Sequence, residues 1–483
     1  ISRSGRSIRH PAMLTRTGTS QAWQTGNGSK GISFRSDCST GGEAETTVSS
    51  PGGSDFEARV ADWLDVDAAR RRIMAAARPH PAEPVELRQA LGRALAEDIV
   101  AEATLPPWDN SAMDGYAVRS ADIAEATPEN PAQLPVTDVI RAGDGAPRTL
   151  QPASAMRIMT GAPVPDGADT VVRVEDTDAE AAAGVVSINS SRDSGRHVRG
   201  AGQDMRSGDL LFSPGHTITP GTMGVLAAAG RVRAQLHGVP TVAVLSTGDE
   251  LRRTDQYDDV RKGQGVPESN GPMVQALVEA LGAIPVDLGI AVDEPASIEN
   301  AIERSRDSDV LITIGGASMG EADLVKRVLD TRGFIQDFWR VKMRPGSPIS
   351  FGWLDHGDHR QAVFSLPGNP SSAFVTFEVF VRPYLLRLAG HARVERRRVP
   401  CRTTERLDTP ASLTYFQRVS LGVEGGELTA SLTGPQVSGL VRGLAAADGL
   451  AIVPPDRGSI EPGEIVEVML LDSGPAAVPF MIG

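Results

Sequence analysis

A glycine-rich run, GGASMG at 315–320, follows an apolar stretch and leads into an amphipathic one. Gly315, Gly316, Ser318 and Gly320 would let backbone N–H groups approach an anion, and a helix starting there adds partial positive charge. An ordinary strand-to-helix turn has the same composition. The run is neither G-x-G-x-x-G nor G-x-x-x-x-G-K-[ST], so the standard nucleotide fingerprints do not apply. Glu321 and Asp323 fall in the first turn after it. Acids are favoured at helix N-termini by the dipole alone, but beside a bound phosphate they need a cation between them. Glu250 in TGDE and Asp293 in VDEP end other apolar runs. Carboxylate oxygens next to phosphate are the usual surroundings of Mg²⁺, which keeps several waters and bridges to substrate. Lys326, three residues beyond Asp323, supplies a positive charge. LPGNPSS at 366–372 reads either as a rigid turn with a helix cap or as an N–H- and hydroxyl-lined seat for a small oxyanion. Arg340, Lys342 and Arg344 are cations nearby in sequence.

These residues need a scaffold. From Pro240 a short apolar run leads three times into a loop and then an amphipathic stretch: TVAVLSTGDEL with SNGPMVQALVEALG, DVLITIGGASMGEADLVKRVL, and AVFSLPGNPSSAFVTFEVFVRPYLLRL. AIPVDLGIAVD adds a further strand, and Ser269 or Asn270 is placed to cap the first helix. Strands alternating with helices imply a parallel sheet with right-handed crossovers. The loops STGDE, VDEP, GGASMGEAD and LPGNPSS should then converge beyond the strands' carboxyl ends, where such sheets bind ligands.

Elsewhere the pattern differs. Residues 60–77 and 87–99 carry apolar residues at helical spacing, and 223–229 reads as a short helix. Within 102–196, VTDVI, AMRIMTG, TVVRVED and VVSIN read as short strands between Pro and Gly. LPPWDNSAMDGYAV at 105–118 fits neither period and reads as a presented loop whose acid, Asp114, has no evident use. Beyond about 395 the pattern is all-β, with EGGEL as a hairpin turn.

With 483 residues the chain exceeds one compact core. Lys plus Arg of 48 against Asp plus Glu of 61 gives −13, which argues against broad nucleic-acid or anionic-membrane binding. The 2 cysteines, Cys38 and Cys401, make neither a disulfide framework nor a structural zinc site, so a reducing, cytoplasmic setting is expected. No apolar run is long enough for a membrane span. Residues 1–35 are basic and rich in Ser, Thr and Gly, like a transit peptide in composition. A disordered extension over 1–55 is expected.

Taken together the segments resemble the molybdopterin molybdenumtransferase family, that is, MoeA-type proteins and the gephyrin E domain. The resemblance covers about residues 60–470. It rests on DNSAMDGYAV (109–118), MTGAPVPDGADTVVRVED (159–176), RGAGQDMRSGD (199–209), VLSTGDEL (244–251), ESNGPMV (268–274), ITIGGASMGEADLVK (312–326), MRPGSP (343–348), SLPGNPSSA (365–373) and GPQVSGLVRGLAAADGL (434–450).

This resemblance implies a multidomain α/β plus β fold. Its parts are an elongated helix/strand domain (56–101 and 197–236), a small β-rich domain (102–196), a central parallel-sheet α/β domain like MogA (237–392) and a C-terminal β-barrel (393–476). It implies insertion of molybdenum from molybdate into adenylylated molybdopterin, with Mg²⁺-dependent release of AMP. It also implies a homodimer whose subunits share each active cleft, so that Asp114 would reach the partner's cleft alongside Glu250 and Asp323. Those three are the catalytic candidates, and with Asp204 and Asp293 the metal candidates. Substrate contacts are expected from Thr247, Ser269, Asn270, Gly315, Gly316, Ser318, Gly320, Lys326, Lys342, Arg344, Pro367, Gly368, Asn369, Pro370, Ser372 and Ser438. A separate adenylyltransferase is a candidate partner.

Two departures stand out. The family's Met-Lys-Pro-Gly-Lys-Pro is here MRPGSP, so Arg344 keeps a charge, with different geometry, and Ser347 loses one. The arginine of a Gly-Arg-x-x-Phe segment corresponds to Leu413. Both changes fall in the molybdate pocket that the resemblance implies. A diverged, non-catalytic pterin-binding or scaffold protein is therefore the main alternative, and adenylyl transfer to molybdopterin a second.

Overall fold

The computed structural model describes residues 62–145, 148–315, 324–409 and 412–471. The extension expected over 1–55 and the candidates Gly316, Ser318, Gly320, Glu321 and Asp323 lie outside the described residues. The first helix, α1 (Val66–Ala76), is capped by Asp65, whose side chain accepts from Ala68 N. Strands β1 (Ala82–Glu86) and β2 (Ile99–Val100) follow. The helix expected over 87–99 is absent: Leu87–Gln89 forms one 3₁₀ turn, and Gly92 sits at φ 81°. Its apolar residues Ala90, Leu95 and Ile99 are buried nonetheless, packed against Ile218, Leu226 and Leu236 from much later in the chain. Tertiary pairing has overridden local spacing.

Next come β3 (Asn110–Ser111), β4 (Gly115–Val118), β5 (Ala132–Ile140), β6 (Ala155–Ile158), β7 (Thr170–Arg173), β8 (Val185–Ile188) and β9 (Val198–Arg199). Five of them make a sheet in the order β7-β4-β6-β5-β8. The four expected strands are present, but 105–118 is only partly a loop. GYAV is β4, bordered on both sides, with Tyr116 and Val118 in one apolar cluster and Ala117 in another. A period-2 signal cannot show in four residues buried on both faces.

The chain returns through β10 (Leu210–Phe212), α2 (Pro220–Ala228) and β11 (Arg233–His237). β10 pairs with β2 and β11 with β1, so 82–100 and 210–237 form one structure around the intervening sheet.

The central sheet uses β12 (Thr241–Thr247), β15 (Ile284–Ala291), β16 (Val310–Ile314), β17 (Ile335–Trp339), β19 (Ser350–Asp355) and β20 (Arg360–Leu366). Its order is β15-β12-β16-β20-β19-β17. The first four run parallel, as expected, while β19 runs antiparallel to β20 and β17, antiparallel to β19, returns to the common direction at the sheet's edge. Alternate residues feed opposite cores: Val242, Val244, Ile312 and Phe364 on one face, Ala243, Leu245, Leu311 and Val363 on the other. Burial on both faces is why these strands read as unbroken apolar runs.

The crossovers include α3 (Tyr257–Arg261), α4 (Asn270–Ala280), α5 (Pro295–Arg304) and α6 (Leu324–Thr331); β20 continues into α7 (Pro370–Thr376) and, through a π turn, α8 (Arg382–Leu388). Short strands β13 (Leu251–Arg252) and β14 (Val266–Pro267) form a lip beyond β12. α1 lays Val66, Ala69 and Ile73 against this same core. Burying a side chain such as Ile73 contributes about 1.5–3 kcal/mol.

The C-terminal part holds β21 (Arg398–Thr403), β22 (Leu407–Asp408), β23 (Thr414–Glu424), β24 (Glu427–Leu432), α9 (Arg442–Ala445), β25 (Gly449–Val453), β26 (Ser459–Ile460) and β27 (Ile465–Leu470). The order β23-β24-β21-β27-β25 closes through a β23–β25 pairing into a five-stranded barrel, with the EGGEL hairpin where expected. β18 (Met343–Arg344) pairs with β23, joining barrel and central sheet. No helix among the described residues is long and apolar enough to cross a membrane.

Candidate active site

Strands β12, β15, β16 and β20 end on the same side of the sheet at Thr247, Ala291, Ile314 and Leu366. Beyond these ends lies a cleft of about 1070 Å³, lined by Thr247, Gly248, Glu250, Ser269, Asn270, Asp293, Gly315, Pro367, Gly368, Asn369 and Pro370 among others. The described parts of all four expected loops therefore meet. Their junction is tight. Gly315 has φ 100°, and a Cβ there would stand 2.8 Å from the Thr247 carbonyl oxygen. Only glycine allows this approach without strain. Gly315 N donates to Leu366 O at 3.2 Å, which fixes the PGNP turn beside it.

Side chains brace the same junction. Asn270 Nδ2 donates to Gly368 O at 2.7 Å, while its Oδ1 is buried with no partner among the described residues. Asp249 Oδ1 accepts from Asp293 N at 2.9 Å, which leaves Asp249 as a brace between two loops and Glu250 and Asp293 as exposed carboxylates on the cleft. At Gly248, with φ 144°, a Cβ would meet the Glu250 carboxylate at 2.7 Å.

The cap of α4 differs from expectation. Ser269 stands at the N-cap position without a side-chain bond. Glu268 Oε1 instead accepts from Gly271 N at 2.6 Å and from Ser246 Oγ at 3.0 Å. The longer glutamate reaches back over the helix start, and it too lines the cleft. Sequence reasoning missed Glu268, although the ESNG run places an acid directly ahead of the helix.

The cleft cation is also a different residue. Lys326 Nζ is paired with Asp330 at 2.7 Å and does not line the cleft, whereas Arg327 does. Leu324 and Arg327, three residues apart, share a helix face. Without a known helix start, that phase was hidden in the sequence.

Several candidates lie away from this cleft. Lys342 is held by backbone bonds from its N–H to Leu64 and from Thr414 to its carbonyl, and Arg344 sits beside Tyr415. Burial raises the Tyr415 hydroxyl pKa, and Arg344 partly offsets that rise. Ser372 is buried in α7. Ser438 meets the start of α7 through its carbonyl, which accepts from Ser371 N at 3.0 Å. The Ser347 hydroxyl bonds to Met343 O within its own turn. Leu413 points into the barrel core with Tyr415 and Val453. Asp204 is exposed on the returning chain. Asp114 stands just ahead of β4 and accepts from Thr160 N at 2.7 Å and Thr160 Oγ1 at 2.9 Å, and these bonds hold its carboxyl below the usual range.

Comparison with known proteins covers the same span. Residues 64–230 match the family described as MoeA N-terminal region (domain I and II), 243–387 the probable molybdopterin binding domain, and 400–471 the MoeA C-terminal region (domain IV). A Mycobacterium tuberculosis protein named molybdopterin molybdenumtransferase 2 is 38% identical over 390 residues, which is 80% of this chain and 94% of that one. The Bacillus subtilis molybdopterin molybdenumtransferase is 35% identical over 415 residues, or 84% and 94%. The crystal structure of the molybdopterin biosynthesis MoeA protein from Pyrococcus horikoshii OT3 superposes with a TM-score of 0.72 at 25% identity, covering 85% of this chain and 100% of that one. A nearly full-length match at this identity, in a chain with this sheet and barrel, settles the relationship: the chain belongs to the molybdopterin molybdenumtransferase family of molybdenum cofactor biosynthesis.

Proposed function

We propose that the protein inserts molybdenum from molybdate into adenylylated molybdopterin and releases AMP with Mg²⁺. The observation that carries this reading is the convergence of four strand-end loops, bearing Gly315 and the acids Glu250 and Asp293, on one cleft. Among the described residues no three His, Cys, Asp or Glu side chains gather as a ready metal site. Mg²⁺ needs none when one or two carboxylates and substrate phosphates complete its octahedron. Glu250 and Asp293 fit that pattern and are proposed as its protein ligands. When bound, the ion supplies charge neutralisation between these acids and the phosphate oxygens.

The chain's own residues position the substrate. Thr247, Gly315 and the turn at 367–370 form the floor, which Asn270 braces through its bond to Gly368 O. Ser269 lies at its edge. Gly316, Ser318, Gly320 and Asp323 belong to the proposal through the family resemblance alone, as do Asp114 and Asp204 through a homodimer, the four-domain division, a cytoplasmic setting and an adenylyltransferase partner. Lys342, Arg344, Ser372 and Ser438 are proposed for molybdate.

A second reading, binding without turnover, is favoured by Ser347 and Leu413, since neither side chain offers a charge to an oxyanion. Incubating the purified protein with adenylylated molybdopterin, Mg²⁺ and molybdate separates the two. The enzyme releases AMP and forms molybdenum cofactor; tight binding without molybdate-stimulated release would leave only the second reading.

A further inference from the structure

The described lining of the cleft carries three carboxylates, Glu250, Glu268 and Asp293, and a single cationic side chain, Arg327. An anionic substrate therefore meets net negative charge at the strand ends. Arg327 is exposed and forms no hydrogen bond or ion pair among the described residues. Its neighbours are committed: Lys326 to Asp330 at 2.7 Å, and Arg332 to Glu303 at 2.7 Å and Glu299 at 3.3 Å. No acid of α6 is left for it. Its helix is anchored through Val325, Val328 and Leu329 in the core, so the base of the side chain is fixed while its guanidinium is unclaimed. A guanidinium presents a planar fork of donors suited to phosphate oxygens.

We propose that Arg327 clamps the phosphoanhydride of the adenylylated substrate, an inference that rests on the reading above. In this role it is a binding residue, setting affinity for the phosphate and discriminating against ligands that lack one.

Wild-type protein, Arg327→Gln and Arg327→Lys are titrated calorimetrically with AMP and with adenosine, each with Mg²⁺, and assayed for AMP release. Loss of a charge-assisted phosphate contact should weaken AMP binding about tenfold to hundredfold in Arg327→Gln. Adenosine affinity stays unchanged, Arg327→Lys recovers part of the loss, and KM for the adenylylated substrate rises in parallel. Equal AMP affinity in wild type and Arg327→Gln overturns the inference. So does an equal loss for AMP and adenosine, which is the signature of a structural effect. Wild-type protein that neither binds nor releases AMP overturns the enzymatic reading itself, and the clamp with it.

Discussion

Replacing Gly315 with alanine tests the junction that holds the cleft together. Two costs are separable. At φ 100° an alanine is strained by about 1–3 kcal/mol. Its Cβ would also lie 2.8 Å from Thr247 O and 2.9 Å from Thr247 Oγ1. The carbonyl cannot rotate away, because Thr247 closes β12 in register with Ala291 of β15. Forcing the strands apart adds about 1–3 kcal/mol of overpacking. The sum, about 2–6 kcal/mol, corresponds to a drop of roughly 5–20 °C for the α/β domain at 243–387 melting as a unit, and to a smaller drop, of roughly 2–7 °C, where the whole chain melts together. Gly333 is the control: its φ is 83° but nothing lies within 4 Å of its Cβ position. Gly333→Ala should show the conformational cost alone, a few degrees. Melting followed by circular dichroism, with AMP release measured well below the transition, reads both effects. If Gly315→Ala melts with Gly333→Ala and releases AMP at the wild-type rate, the close approach of β12 and β16 does not shape the cleft.

Other substitutions probe other links. Glu250→Gln should raise the Mg²⁺ concentration for half-maximal AMP release about tenfold without changing the melting temperature, since no described residue pairs with that carboxylate; an unchanged Mg²⁺ profile removes Glu250 from the metal's ligands. His391, buried and bonded through Nδ1 to Thr217 Oγ1 at 2.7 Å, has its pKa lowered to about 4 by burial, with Arg382 and His237 adding to the shift. Its folded value lies below its unfolded one, so its contribution is complete above about pH 6.5 and lost as pH falls toward 4, amounting to about 3 kcal/mol. His391→Gln should flatten the fall in melting temperature over that range, and an identical pH curve for the variant would refute the assignment. Leu413→Ala should cost about 2–5 kcal/mol by opening a cavity in the barrel. Leu413→Arg should cost more by burying an unpaired charge, so that introducing the family's arginine lowers the barrel's melting temperature without raising molybdate-stimulated AMP release.

The parts of this fold that were legible in the sequence share a cause. TVAVLST, VLITI and AVFSL are apolar because both faces of their strands are covered, and Gly and Pro mark the loops after them, so the sheet and its ligand end could be read directly. The hairpin at Gly425 and Gly426 was equally plain. The failures are non-local. The apolar residues of 87–99 kept helical spacing, yet their partners lie at 218–236. GYAV was too short to show alternation. Arg327 and Glu268 were chosen over Lys326 and Ser269 by helix phase and by side-chain reach, which depend on where a helix begins.

The entry to the five-stranded sheet has one further consequence. Its outgoing and returning chains run side by side: Leu105 bridges Met205, and Asn110 and Ser111 pair with Arg199 and Val198. Nearly ninety residues thus hang on a narrow two-strand stalk, and the cut ends of an excision at 111 and 198 would already be neighbours. Segments attached in this way tolerate insertion and exchange, because removing them leaves no gap to span. An excised or exchanged sheet would take Asp114 with it as one piece, because Thr160 and Val174, which hold that residue, belong to the same segment.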